Sequence, residues 1–267
     1  MEDYELLDSG DQKKIERFGS IILERPCLFA PWDLKTKNRG DGIFTREPKG
    51  KWTFLKKVPS SWVISHFGIK MKLIPTDFGH LGLFSEHKMI CDKLSPLNLE
   101  GKKILNLFAY TGYGSIFCAL KKAIVTHVDA SKPSTLWAKE NASLNGKDLS
   151  IRFIVDDVLK FLKREARRGN RYDGIILDPP SFGRGPKGEV FKIEDDFVEM
   201  MRLLREVFSK EGLFIALSCH TPGYLPSTLQ TMFSEMGLSK NIEAGEMVIE
   251  SEKGKSIAVG CYALWKR

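Results

Sequence analysis

Cysteine is scarce in this chain. Five occur among 267 residues (Cys27, Cys91, Cys118, Cys219 and Cys261), an odd number, widely spaced and without a CxxC pair. That pattern excludes a disulfide scaffold and argues against a structural zinc site. Long apolar runs are missing too. Stretches such as residues 213–217 (LFIAL) and 175–177 (IIL) are far too short to span a bilayer. There is no internal repeat and no low-complexity tract that would keep the chain disordered. The opening residues, MEDYELLDSGDQKK, are acidic and polar and lack the apolar segment of a secretory signal. No membrane association, no metal and a reducing cytoplasmic setting are the resulting expectations.

What is present suits a folded protein with a large core. The length fits one large domain or one domain with a smaller appendage, and 42% of residues are hydrophobic. The formal charge is +7, and the excess is uneven. Residues 35–72 hold ten Lys and Arg against Asp41 and Glu47, a local net of +8, interleaved with Trp52, Phe54, Trp62 and Phe67. Cations for phosphates and rings for stacking would suit a nucleic-acid surface. The plainer reading is a solvated face whose aromatics point into a small core, and composition alone favours it.

The first 80 or so residues read as β-rich, with strands expected over 14–24, 52–58 and 62–74 and a loop over 33–51 marked by Asn38, Gly40, Gly42, Pro48 and Gly50. From about Leu83 apolar runs alternate with helical stretches: KILNLF then GSIFCALKK, AIVTHVD then KPSTLWAKENASL, IRFIV then DDVLKFLKREARR, YDGIILD then EDDFVEMMRLLREVF, LFIALSC then YLPSTLQTMFSEM. Five strand–helix units in series imply an α/β fold, a doubly wound parallel sheet covered on both faces. Residues 242–250 and 257–265, joined by SEKGKS, form a hairpin that ends the sheet with an antiparallel strand. Phe197, Met200, Met201 and Leu204 fall at helical spacing and read as core. The expected division is a small β-rich domain over 1–80 and a larger α/β domain over 81–267.

In such sheets ligands bind beyond the carboxyl ends of the strands. The loop after the first α/β strand, Phe108-Ala-Tyr-Thr-Gly-Tyr-Gly114, departs from GxGxxG. Its two late glycines fit a ligand carrying a carboxylate and an ammonium better than a pyrophosphate. Asp129 ends the second strand, where a carboxylate can accept from both hydroxyls of a ribose. Asp156 and Asp157 follow the third strand, where either could take an adenine amino group or cap the next helix. The strongest local signal is Asp178-Pro179-Pro180-Ser181-Phe182 after the fourth strand. The prolines stop the strand and hold Asp178 extended, giving a rigid ledge of one carboxylate and free carbonyls that can grip a planar base. The GRGPKG stretch that follows (183–188) reads as a mobile segment that brings Arg184 and Lys187 to a substrate backbone.

These residues together resemble a class I S-adenosylmethionine-dependent methyltransferase. More narrowly, the chain is similar to the bacterial large-subunit (23S) ribosomal RNA methyltransferases of the cytosine-5 type. The stretches that carry the likeness are GHLGLFSEHK (79–88), KILNLFAYTGYGS (103–115), VTHVDASKPSTLWAKENASLN (125–145), IRFIVDDVLKFL (151–162), YDGIILDPPSFGRG (172–185) and LFIALSCHT (213–221). The resemblance implies a Rossmann-like catalytic domain preceded by a small β-rich domain that binds RNA, here without the RNA-binding PUA module of many relatives. It implies S-adenosylmethionine as cofactor, with Asn106, Phe108, Tyr110, Thr111, Gly112 and Gly114 around its methionine part. Asp129, Ala130 and Ser131 would hold its ribose, and Asp157 and Asp156 its adenine. Phe84 and Glu86 would line the pocket, with His87 where relatives often carry Gln. Asp178, Pro179, Pro180 and Phe182 would face the target base.

The expected reaction is therefore methyl transfer to a base of ribosomal RNA, with cytosine carbon 5 favoured. That carbon needs activation by a thiolate adding to carbon 6 and a base that then removes the carbon-5 proton. Cys219, in Ser218-Cys219-His220, is the candidate thiolate, although a cysteine at the end of a buried strand is commonly only a small hydrophobe. Nitrogen methylation is the alternative within the class, because an Asp-Pro-Pro ledge resembles that of amino-methylating enzymes and needs no cysteine. A non-catalytic, cofactor-bound RNA-binding protein is the alternative outside it. A nicotinamide dehydrogenase would want GxGxxG and has no use for the double proline.

Overall fold

Paired left-handed residues punctuate the N-terminal strands. Asp11 and Gln12, at φ 51 and 58, turn β1 (Tyr4–Gly10) into β2 (Lys13–Phe18), and Gly19, at φ 66, turns β2 into β3 (Ile21–Pro26). The structure, a computed structural model, describes residues 3–37, 39–46, 49–252 and 254–267. After β3 come β4 (Gly42–Thr45) and β5 (Lys51–Phe54), and the sheet runs β1-β2-β3-β4-β5 with β3 and β4 parallel. A separate hairpin joins β6 (Trp62–His66) to β7 (Ile69–Leu73) through Phe67 and Gly68, at φ 50 and 73.

This differs in detail from the sequence expectation. The run 14–24 is two strands, not one, and 62–74 is a hairpin, because each contains a left-handed turn. The expected strand 52–58 ends at Phe54, and the expected loop 33–51 contains β4. Asn38, Glu47 and Pro48 of that loop lie outside the described residues, as does Lys253 of SEKGKS.

Helix α1 (His87–Leu94), which the sequence reading did not anticipate, leads into the alternating part. There β8 (Lys103–Leu107), α2 (Tyr113–Leu120), β9 (Ile124–Asp129), α3 (Lys132–Asn145), β10 (Ile151–Val155), α4 (Val158–Arg167) and β11 (Gly174–Leu177) follow in order. Two short strands, β12 (Phe182–Arg184) and β13 (Val190–Lys192), precede α5 (Ile193–Val207), β14 (Phe214–Cys219), α6 (Pro226–Glu235), β15 (Ile242–Ile249) and β16 (Ile257–Lys266). The sheet order is β10-β9-β8-β11-β14-β16-β15, parallel through β14, with β16 antiparallel to it, as the sequence pattern implies. The strand order reverses beside β8, so the switch point lies between β8 and β11.

The chain divides into two compact units, Met1–Met89 with Val248–Val259, and Ile90–Met247 with Gly260–Arg267. The expected cut after residue 80 misses two attachments to the first unit. Residues 81–85 bond back to it, through Leu81 O accepting from Ile74 N (3.0 Å) and Ser85 O lying 3.1 Å from His66 Nε2. The tip of the C-terminal hairpin joins it through Ser9 Oγ to Lys255 O (2.9 Å) and Ser251 Oγ to Leu6 O (2.8 Å). The first unit also buries a charge cluster. Burial alone would raise the Glu16 carboxyl, but Arg25 at 2.5 Å and Lys14 at 3.0 Å hold it below its usual range.

In the second unit side-chain alternation sorts the strands by face. Leu105, Leu107, Ile175, Leu177, Ile215, Leu217 and Cys219 share one apolar core with α4, α5 and α6, and Phe197, Met200, Met201 and Leu204 lie in it as expected. Asn106 faces the other way, toward Ser115 of α2. Among the described residues no helix is long and apolar enough to cross a membrane.

Candidate active site

The loop between β8 and α2 is held in uncommon backbone geometry. Phe108, Tyr110 and Gly112 have φ of 52, 47 and 90. For Phe and Tyr that conformation costs about 1–3 kcal/mol each and persists only where surroundings impose it. The restraints are visible. Ala109 N donates to Val128 O (3.1 Å), Tyr110 N to Asp129 Oδ2 (2.8 Å) and Gly112 N to Ala109 O (2.9 Å). From α3, the wholly buried Asn141 donates its amide to Thr111 O (3.0 Å). Phe108 packs on Phe191 of β13, with ring centroids 5.1 Å apart. Behind the loop Asn106 donates to Ser115 Oγ (2.9 Å), which lies 3.0 Å from His127 Nδ1.

Asp129 is the hub of this edge. One carboxylate oxygen accepts from Tyr110 N and the other from Ser131 N, both at 2.8 Å. Burial raises its pKa, and the two backbone donors oppose the rise. Each oxygen retains a second acceptor site, so the pair can receive a vicinal diol. Ala130 follows it half-buried, and Ser131 caps α3 by accepting from Ser134 N (3.2 Å). Asp156 N donates to Asp129 O (3.1 Å), tying the ends of β9 and β10 together. Of the two acids there, Asp157 caps α4 by accepting from Lys160 N (2.9 Å), and Asp156 pairs with Arg164. The capping reading of Asp157 is thus what the structure displays.

At the fourth strand, Leu177 stands opposite Leu217 in the parallel ladder, which brings Asp178 level with Ser218. Ser218 Oγ donates to Asp178 Oδ1 at 2.7 Å, and His220 Nε2 lies 3.5 Å from the same oxygen. Pro179 is buried and Pro180 half-buried. Ser181 Oγ and Thr221 Oγ1, 2.8 Å apart, tie the ledge to the loop after β14. Cys219 touches this group only through Thr221. It alternates to the opposite face, 1% exposed, opposite Cys261 in the antiparallel ladder and within the core under α5 and α6. The Cys261 thiol beside it lowers Cys219 to about 7 despite burial, and Cys261 itself is raised. A low thiol pKa without access does not make a nucleophile.

The segment expected to be mobile, 183–188, belongs to a β-hairpin. Phe182, Gly183 and Arg184 pair with Lys192, Phe191 and Val190. Glu189 closes the turn, accepting from Lys187 N (2.8 Å) and from Lys160 Nζ (2.6 Å), and Lys160 holds its carboxyl down at about 2. Phe182 stays 51% exposed with the Arg184 guanidinium 5.8 Å from its ring, and Lys187 is exposed. Phe84, Glu86 and His87 lie in the first unit, where Phe84 packs between His80 (5.2 Å) and His87 (6.1 Å) and Glu86 is buried.

Within the second unit, then, the expected residues 106–114, 129–131, 156–157 and 178–182 gather along the carboxyl ends of β8, β9, β10 and β11. They fit S-adenosylmethionine: Asp129 keeps acceptor capacity for the ribose, and the loop backbone is pre-set for a small ligand. Sequence reasoning missed Asn141, a mid-helix residue with no local signal, and gave Ser218 no role although strand alternation marks it as facing away from Cys219.

A family model described as S-adenosylmethionine-dependent methyltransferase matches residues 45–232. A curated relative from Pseudoalteromonas translucida, named ribosomal RNA large subunit methyltransferase K/L, is 30% identical over 216 residues, which are 79% of this chain and 29% of the relative. The chain therefore spans under a third of that relative's length. A solved SAM-dependent methyltransferase from Agrobacterium tumefaciens superposes with a TM-score of 0.94 at 33% identity, covering 100% of this chain and 91% of that one. The structure of SMU.776 complexed with SAH shares the fold, at a TM-score of 0.78 and 21% identity, covering 98% of this chain and 75% of that one.

Proposed function

Because the chain belongs to the S-adenosylmethionine-dependent methyltransferase family, we propose that it methylates a base of ribosomal RNA, at a nitrogen rather than at cytosine carbon 5. S-Adenosylmethionine is the cofactor, and when bound it supplies a methyl group made electrophilic by a positive sulfur.

The chain's own residues bind and orient. Asn106, Phe108, Tyr110, Thr111, Gly112 and Gly114 form the methionine end of the site. Asp129, with Ala130 and Ser131, takes the ribose, and Asp156 and Asp157 border the adenine. Asp178 accepts a hydrogen bond from the amino edge of the target base, and the prolines keep the carboxylate from turning away. Phe182 offers a face to that base, and Arg184 and Lys187 offer charge to its backbone. The first unit, with its basic excess, is assigned RNA binding. The name of the Pseudoalteromonas relative supports ribosomal RNA as the substrate class.

One observation carries the choice of nitrogen. Ser218 donates to Asp178 on the ledge, whereas Cys219 turns its thiol into the core on the opposite face. Carbon-5 chemistry would need that thiol against the base, whereas nitrogen chemistry needs only the ledge.

The test is nucleoside analysis of RNA treated with the chain and labelled cofactor. A methylated nitrogen is expected, with Cys219→Ala retaining activity within about twofold and Asp178→Ala losing about hundredfold or more, as when an oriented polar group is removed from an active site. A 5-methylcytidine product, or covalent trapping by RNA carrying 5-fluorocytosine, overturns the nitrogen assignment. No label in RNA at all overturns RNA methylation and leaves the cofactor-bound binding protein.

A further inference from the structure

We propose that the outer edge of the first unit's five-stranded sheet is a stacking platform for single-stranded RNA, made of the Trp52–Phe54 ring pair and Phe78 and flanked by Lys49, Lys51 and Lys57. The proposal takes its partner from the RNA reading above and assigns that partner a surface and a conformation.

The rings are pre-set. β5 is the last strand of its sheet, and Trp52 and Phe54, two residues apart, lie on one face of it. Their planes are within 4° of parallel and their centroids 5.8 Å apart. Trp52 is pinned by its indole N–H, which donates to Thr76 O at 2.8 Å, and by the buried Phe44 opposite it, at 5.2 Å. Phe54 lies over Gly42 of β4, where a Cβ would come within 2.8 Å of the ring. Gly42 is not among the left-handed glycines, so what it contributes is room for a flat ring. The loop that holds Trp52 also carries Phe78, and Asp77 O of that loop comes within 2.6 Å of where a Cβ on Gly50 would sit.

Trp52 is half-buried on Phe44, but Phe54 and Phe78 are not filling a core. Phe44 does that, at 4% exposed, but Phe54 is 46% and Phe78 79% exposed. Large apolar rings left in water on an open sheet edge are a hazard unless a partner covers them. The charges indicate which partner. Arg39 is held by Glu24 and Lys56 by Asp41, and Asp77 is the exposed acid of the neighbouring loop. Lys49, Lys51 and Lys57 are exposed and make no ion pair among the described residues. Lys51 leaves the strand on the face opposite the rings, so cations border the aromatic row rather than cover it. Ring faces bordered by cations match unpaired bases joined by phosphates. A duplex keeps its base faces stacked inside and offers the rings nothing.

The test measures binding of a fluorescent oligoadenylate, and of a blunt duplex of the same length, to the whole chain. Phe54→Ala and Phe78→Ala are each expected to weaken oligoadenylate binding about tenfold, with Phe54→Trp restoring it and duplex binding little changed. Replacing Lys49, Lys51 and Lys57 by Ala should reduce the slope of log affinity against log salt by about 2. Phe78 is exposed enough that its loss leaves folding intact, so its variant stands even if Phe54→Ala misfolds. Wild-type binding that both aromatic variants preserve overturns the platform while leaving RNA methylation standing. Ring-dependent binding by a chain that methylates no RNA supports the platform and overturns the methylation reading. Failure of the wild type to bind the oligonucleotide, including a preference for anionic phospholipid vesicles, overturns the platform.

Discussion

His127 illustrates how much a single buried side chain can govern. It is fully buried, its Nδ1 faces Ser115, and its Nε2 has no hydrogen-bond partner among the described residues. Burial pushes its pKa down to about 3. In the unfolded chain the value returns to about 6.5, so the folded state resists a proton that the unfolded state accepts. The stabilisation is complete above the unfolded value and is lost as pH falls from there toward about 3. Wild type should therefore lose about 2 kcal/mol more than His127→Asn between about pH 7.5 and pH 5, measured by denaturant unfolding. At the same scale the acids at strand ends were legible in the sequence, because a strand-to-loop change is a local signal. Their partners were not. That Asp157 caps a helix, that Asp156 pairs with Arg164 and that Asn141 holds Thr111 O depend on backbone placement.

The loop of β8 and α2 acts as an element with its own strain. Gly112 sits at φ 90, and a Cβ there would come 3.1 Å from Ala138 Cβ on α3. Gly112→Ala adds both the left-handed penalty of an L residue and a crowded contact. A loss of about 1–2 kcal/mol in unfolding free energy is expected, together with weaker binding of S-adenosylhomocysteine by calorimetry. The five strand–helix units and the closing hairpin were readable because periods of 3.6 and 2 alternate cleanly along them. Three features were not. The turns at Gly19 and at Phe67–Gly68 hide inside continuous β-like runs. Helix α1 has only eight residues, too few for a helical period to stand out. The hairpin at 182–192 is so rich in glycine and lysine that composition suggests mobility, although Glu189 and Phe191 anchor it.

At the scale of the whole molecule the clearest expectation is linkage between ligand and stability. A ligand that binds only the folded chain stabilises it by about 2.7 kcal/mol at a hundredfold excess over its Kd. S-Adenosylhomocysteine should thus raise the thermal midpoint of wild type in a concentration-dependent way. Asp129→Ala should need at least about tenfold more ligand for the same rise if Asp129 holds the ribose as proposed, through charge-assisted hydrogen bonds. NAD in place of S-adenosylhomocysteine should leave the midpoint unmoved. A change of pattern near residue 83 was legible in the sequence. The return of Val248–Val259 to the first unit was not, because contacts such as Ser9 with Lys255 join residues far apart in the chain.

By itself the sequence determined the alternating α/β unit with its antiparallel end, the acids at its strand ends and the double-proline ledge. Each of these is written in local periodicity or in the fixed geometry of proline. Which side chains share the ledge was decided only by tertiary structure. The ladder sets Leu177 against Leu217, so Asp178 meets Ser218 and Cys219 turns to the opposite face. A slip of one residue would have reversed that choice, because side chains alternate faces with a period of two.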